Sequence, residues 1–330
     1  MSIIKNLQKI FNTASFAAVL FFGLFIAVCL SILINAVSYV LPNLSKYTGV
    51  LYIITPWIIP IATLEGYILM LYYIFLVFAI VFSFIFLFLK DGKEFTNELL
   101  SAVRERKIMN MFSKNAFVLL PTIFFSVLFF DAIYSFILTL FGITPSTPNF
   151  GEKPKWELLY SFANASVYEE IVSRILLIGA PLFIIEFGEE KNLVESGLSG
   201  FFRNKKRYII GGDFSMNKKT IALIIFSSIV FGFAHSFGGW DFYKVIPTFI
   251  AGIAFAYLFL VKGLYAAIIL HFSFDYSSFP SEFFPNIESF YFLIILLWLC
   301  IGAVYFIYYC AISGKFLLGS IKNIYYEQMS

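Results

Sequence analysis

Long apolar runs, separated by short charged connectors, set the pattern of this 330-residue chain. A spanning helix needs about 20 mostly apolar residues. Eight stretches qualify, at roughly 13–41, 66–89, 115–144, 157–187, 219–237, 244–262, 264–278 and 290–313, the seventh being the shortest. A further apolar stretch, 48–63, is broken by proline and reads as re-entrant or surface-lying. The first run is too long for the apolar region of a cleavable signal, so it reads as an uncleaved span. The pattern predicts an all-α, polytopic membrane protein with about eight transmembrane helices. It divides into 1–114 (amino-terminal spans and a cytoplasmic loop), 115–280 (a central core) and 281–330 (a last span and tail).

Composition agrees with that pattern. Hydrophobic residues make up 60% of the chain and charged ones 13%, with a mean hydropathy of +0.88; a soluble chain carries about 25% charge. The net charge of +3 is small and scattered, which excludes nucleic acid as a partner. Cys29, Cys300 and Cys310 lie in apolar segments without metal-type spacing and read as small buried hydrophobes. With the amino terminus inside, 18 of the 23 Lys and Arg residues fall on inner segments and four on outer ones, with Arg174 inside a span. That asymmetry predicts both termini in the cytoplasm, in a multi-pass protein of the cell membrane. The polar insertion 188–219 reads as a solvated cytoplasmic connector.

Against this background the polar residues inside the spans stand out, because a charge at bilayer depth is costly and marks a functional site by default. The chain has only two histidines. His235 ends the apolar run SSIVFGFAH, and His271 lies in AAIILHFSFD with Asp275 four residues on. Upstream, ANASVYEEIVSRILLIGA holds Glu169, Glu170 and Arg174. Glu170 and Arg174 share a helical face and can pair. Glu169 is turned about 100° away, which leaves it free for general-base work. Gly232, one turn before His235, leaves room for a neighbouring backbone. Asp131, in FFDAIYSF, has no cation on its own helix, so its partner is expected on another: the Glu170–Arg174 pair or, equally, a Tyr or Ser hydroxyl.

EEIVSR (169–174), FGFAH (231–235) and HFSFD (271–275) resemble, in order, the motifs EExxxR, FxxxH and HxxxN/D. Those motifs define the CAAX prenyl endopeptidase and bacteriocin-processing family of intramembrane proteases, type II CAAX endopeptidases and lysostaphin-resistance-protein-A-like proteins among them. The resemblance covers about 115–280. It implies eight helices around a catalytic cavity open to lipid, with membrane lipid and a protein or lipidated-peptide substrate as partners. It also implies peptide-bond hydrolysis in which Glu169 and His235 hold the water. His271 and Asp275 take the oxyanion side, and Glu170 and Arg174 support them. No cofactor is expected, although Glu, His and Asp are zinc-type ligands. An Asp at 275 is a departure, since an ionised carboxylate only accepts hydrogen bonds: either it is protonated, or it orients His271, or the site is metal-like. The charge count also puts Glu169 and His235 near the outer ends of their helices, whereas CAAX processing is cytoplasmic. The competing class is a non-enzymatic transporter, sensor or scaffold that uses the same buried charges.

Overall fold

A computed structural model describes residues 2–54, 58–105, 110–146, 148, 152–189 and 206–327. Much of the expected connector 188–219 therefore lies outside the described residues. Helices α1 (Ser2–Leu44), α2 (Gly66–Arg104) and α3 (Ala116–Leu140) come first. A nearly unbroken helical rod follows, made of α4 (Lys155–Asn164), two π-helical segments (Ala165–Glu169 and Ile171–Gly179) and α5 (Ala180–Glu189). Then come α6 (Lys218–Phe237), α7 (Val245–Val261), α8 (Leu264–Asp275), α9 (Phe279–Phe283) and α10 (Glu288–Glu327).

Among the described residues, six helices are long and apolar enough to cross a membrane: Lys9–Leu44, Gly66–Ala102, Ala116–Leu140, Lys218–Phe237, Phe242–Val261 and Pro285–Lys315. The fold is an all-α polytopic membrane fold. The two expected spans outside that set, 157–187 and 264–278, are the ones that carry the polar centre. The first is interrupted by π turns. The second is a helix of 12 residues, about 18 Å long at 1.5 Å per residue and so short of a bilayer's hydrocarbon core of about 30 Å.

The stretch 48–63, expected to be re-entrant or surface-lying, has a β conformation on both sides of residues 55–57. It forms a β-hairpin, β1 (Thr48–Ile54) against β2 (Ile58–Glu65), antiparallel from Thr48↔Glu65 to Ile54↔Ile58. Its β-branched and aromatic residues fit a pleated ribbon, and the hairpin answers every second backbone group within itself. The register steps from Leu51↔Ala62 to Tyr52↔Pro60, so Ile61 is an extra residue on β2.

Local signals set the helix ends. Asn115 caps α3 by accepting from the Phe117 N–H, and Asn217 caps α6 in a reciprocal box with Thr220. The core is aromatic: Trp298 of α10 packs among Phe22, Phe25, Phe124 and Phe125, with its indole N–H donating to the Ala18 carbonyl. Glycine lets helices approach where this layer is tightest. A Cβ at Gly302 would run into the Phe125 carbonyl, and one at Gly232 would sit 2.9 Å from the Val245 carbonyl. The room expected beside Gly232 is thus used by α7. Cys29 is buried, but Cys300 and Cys310 are exposed on the outer face of an apolar helix, contrary to the reading that placed all three inside.

Candidate active site

The first and third motifs meet directly, and the second approaches them through Phe231. The two π-helical segments carry Glu169 and Arg174 with Glu170 between them, α6 carries His235, and α8 carries His271 and Asp275. Glu170 and Arg174 are fully buried, with Arg174 Nε donating to Glu170 Oε2 at 2.9 Å. Glu170 also uses its other oxygen: His271 Nδ1 donates to Oε1 at 2.9 Å. On the far side of the same imidazole, Nε2 lies 3.4 Å from Asp275 Oδ2 and 4.0 Å from Glu169 Oε2. Both carboxylates lie beside His271, Glu170 at Nδ1 and Glu169 at Nε2. Such π segments recur at functional sites.

A second layer fixes these groups. Ser166 donates to Asp275 Oδ2 at 3.1 Å. Arg174 Nη1 donates to Ser227 Oγ at 2.8 Å, and Ser227 donates in turn to the Ser173 carbonyl at 2.8 Å, tying the Arg174 helix to α6. Phe255 of α7 stacks on His271 at 4.8 Å with an 11° tilt, and Arg174 lies over the rings of both Phe231 and Phe255. Neither serine nor Phe255 was singled out from the sequence. A usable signal existed for Ser227, a hydroxyl on an apolar helix about two turns before His235 and so on the same face.

His235 stands apart from this chain of contacts. Its Nδ1 lies 2.9 Å from the Phe231 carbonyl, and the Phe231 ring packs edge-on against each of the two imidazoles. A carbonyl can only accept, so Nδ1 donates and a neutral His235 keeps its lone pair on Nε2. Among the described residues no ion pair joins His235 to Glu169 or Asp275. The loop after His235 is fastened by Asp241, which accepts from the backbone N–H groups of Tyr243 and Ser146; these bonds hold its carboxyl below the usual carboxylate range. Asp131 does not join the Glu170–Arg174 pair as expected. Arg174 is occupied by Glu170 and Ser227, and the cation whose charge acts on Asp131 is Lys244.

Chemically the centre offers a carboxylate oxygen without a hydrogen-bond partner among the described residues, Glu169 Oε2. Beside it stand an imidazole held from behind by a carboxylate, and a further carboxyl. The 4.0 Å between Glu169 Oε2 and His271 Nε2 is too long for a direct bond and short enough for one oxygen atom to contact both. The zinc-type residues do not form a ready shell: among the described residues no group of three or more His, Cys, Asp or Glu side chains has metal-holding geometry.

Comparison with curated proteins and comparison with solved structures each gave no match. Residues 151–277, which hold all three motifs, match the family model described as Type II CAAX prenyl endopeptidase Rce1-like.

Proposed function

We propose that the chain is an intramembrane endopeptidase that hydrolyses a peptide bond of a membrane-associated protein, with prenylated CAAX proteins as the substrate class the matched family suggests. The observation that carries this reading is the convergence of Glu169, His271 and Asp275 around a carboxylate oxygen with no hydrogen-bond partner of its own. Glu169 takes a proton from a water as the water oxygen attacks the scissile carbonyl carbon. His235, with its lone pair on Nε2, accepts the water's second hydrogen and orients it. Both nitrogens of His271 face carboxylate oxygens, the arrangement of an imidazole that donates from both, so its Nε2–H supports the developing oxyanion. Asp275, held by Ser166, positions that imidazole, which supports the orienting role among those open to it. The tetrahedral intermediate then loses the amine, which leaves with the proton that Glu169 carries. Water activation in this scheme needs no metal.

The excess of basic residues on the segments read as inner supports both termini on the cytoplasmic side. The test of the reaction is cleavage of an internally quenched farnesylated peptide, and of its unfarnesylated twin, by purified protein in lipid nanodiscs. Wild-type protein is expected to cleave the farnesylated peptide, and Glu169→Ala and Glu169→Gln to lose at least about a thousandfold in kcat while melting like wild type. Near-normal turnover by either variant would remove Glu169 as the base.

A further inference from the structure

The β-hairpin lies beside the polar centre, and the proposed mechanism gives it no part. Strand β1 packs against both the π-helical segment Ile171–Gly179 and α6. Its Tyr52 carbonyl accepts from the hydroxyl of Tyr168, the residue before Glu169, at 2.8 Å. In an antiparallel pair a residue's N–H and C=O point to the same side. The Tyr52 carbonyl points away from β2, so the Tyr52 N–H does too, and with it the N–H and C=O of Val50 two residues earlier. The register agrees: Tyr52 stands opposite Pro60, which has no N–H and fits a pair that exchanges no bonds.

The two outer edges of this ribbon differ. On β2, Pro60 removes a donor and the extra residue Ile61 bends the strand, two features that blunt an edge against pairing. β1 has neither, and among the described residues no third strand pairs with it. Val50 and Tyr52 also expose apolar side chains on one face. The open edge is thus the one tethered next to Glu169.

The geometry points to the outer edge of β1 as the docking strand for the substrate, an extended polypeptide segment with apolar side chains at alternate positions. A peptide bond must be presented in an extended chain to be attacked, because a helix buries its carbonyls in its own hydrogen bonds. An edge strand supplies that conformation by adding the segment as a third strand. The Tyr52 oxygen has a second lone pair, so it can accept from an incoming N–H while Tyr168 still holds it. This inference rests on the hydrolytic reading of Glu169.

The probe is the internally quenched farnesylated peptide, its backbone amides N-methylated one at a time. Each peptide is assayed for cleavage by wild-type protein and for binding to Glu169→Gln protein by fluorescence anisotropy. Strand pairing is expected to weaken binding about tenfold at every second residue and to leave the intervening positions within about twofold. On the protein, Tyr52→Pro removes an outward N–H and is expected to raise KM about tenfold, with kcat within about twofold and melting unchanged. Uniform loss, loss at consecutive residues, or no loss overturns the docking strand, while cleavage of the parent peptide leaves the reaction standing. Alternating loss of binding without cleavage keeps the docking strand and removes the reaction. Failure of the parent peptide to bind overturns the docking strand.

Discussion

Glu170 Oε1 accepts from His271 Nδ1 at 2.9 Å, joining the π-helical segment to α8 across 101 residues of sequence. With Nδ1 committed, only Nε2 is left to face Glu169 and Asp275. Glu170 is therefore more than the counter-ion of Arg174. It sets the direction in which His271 acts, much as a carboxylate behind a histidine fixes tautomer and ring orientation elsewhere.

Removing either member of the buried Glu170–Arg174 pair strands the other as an uncompensated charge. Glu170→Ala and Arg174→Ala are each expected to cost about 3–5 kcal/mol of stability. Thermal melting in detergent reads this directly. A Glu170→Ala protein that melts like wild type would show that the pair is not buried as described.

Ser227 makes a sharper test, since it touches neither histidine. Ser227→Ala leaves Arg174 Nη1 without its partner, and Nη2 already has none among the described residues. The expected cost is about 1–3 kcal/mol. Because the strain passes through Arg174 and Glu170 to His271, kcat should fall while KM holds. Ser227→Thr, which keeps the hydroxyl, should recover most of the rate. Equal loss in both variants would mean that packing matters at 227 and the hydrogen bond does not.

The apolar runs gave the membrane class and most helix positions, because span length is set by bilayer thickness and leaves a plain trace. The polar centre was legible for a related reason: charges in apolar helices are scarce, so Glu169, Glu170, Arg174, His235, His271 and Asp275 announced themselves. Side-chain direction was less legible. A regular 3.6-residue helix turns Glu169 about 100° from Glu170, and nothing in ASVYEEIVSR signals the π turns or that both carboxylates lie beside His271. The hairpin was hidden similarly, since an apolar run around a proline fits a membrane-lying segment as well as two paired strands. Asp131 shows the limit of helix-by-helix reasoning. The one cation whose charge is found to act on it is on another span, at Lys244.

That relation is measurable. Asp131 Oδ1 is buried without a hydrogen-bond partner among the described residues, and Lys244 acts on it only through its charge, with no ion pair between them among the described residues. Lys244→Gln is expected to lower stability by about 0.5–1 kcal/mol in the wild type and to have little effect when Asp131 is already Asn. A double-mutant cycle on unfolding free energy reads the coupling. Additive effects would show that the two charges act independently.

Metal dependence is the last expectation to be checked, and the side chains themselves argue its direction. A hydrolytic zinc commonly takes three protein ligands and keeps a position open for water. Here Glu170 has both oxygens engaged, one by Arg174 and one by His271, and Asp275 is engaged by Ser166. His235 is held by the Phe231 carbonyl at Nδ1. Gathering three ligands would require His235 to turn off the Phe231 carbonyl and Glu169 to give up its role as base. Purified protein is therefore expected to keep its activity on the farnesylated peptide, within about twofold, after exhaustive chelation, and to carry zinc well below one equivalent by elemental analysis. Stoichiometric zinc, with activity lost on chelation and restored by adding the metal back, would overturn this scheme. It would make Asp275 or Glu169 a ligand, and the Glu170–His271 pair would become the support of a coordinating imidazole.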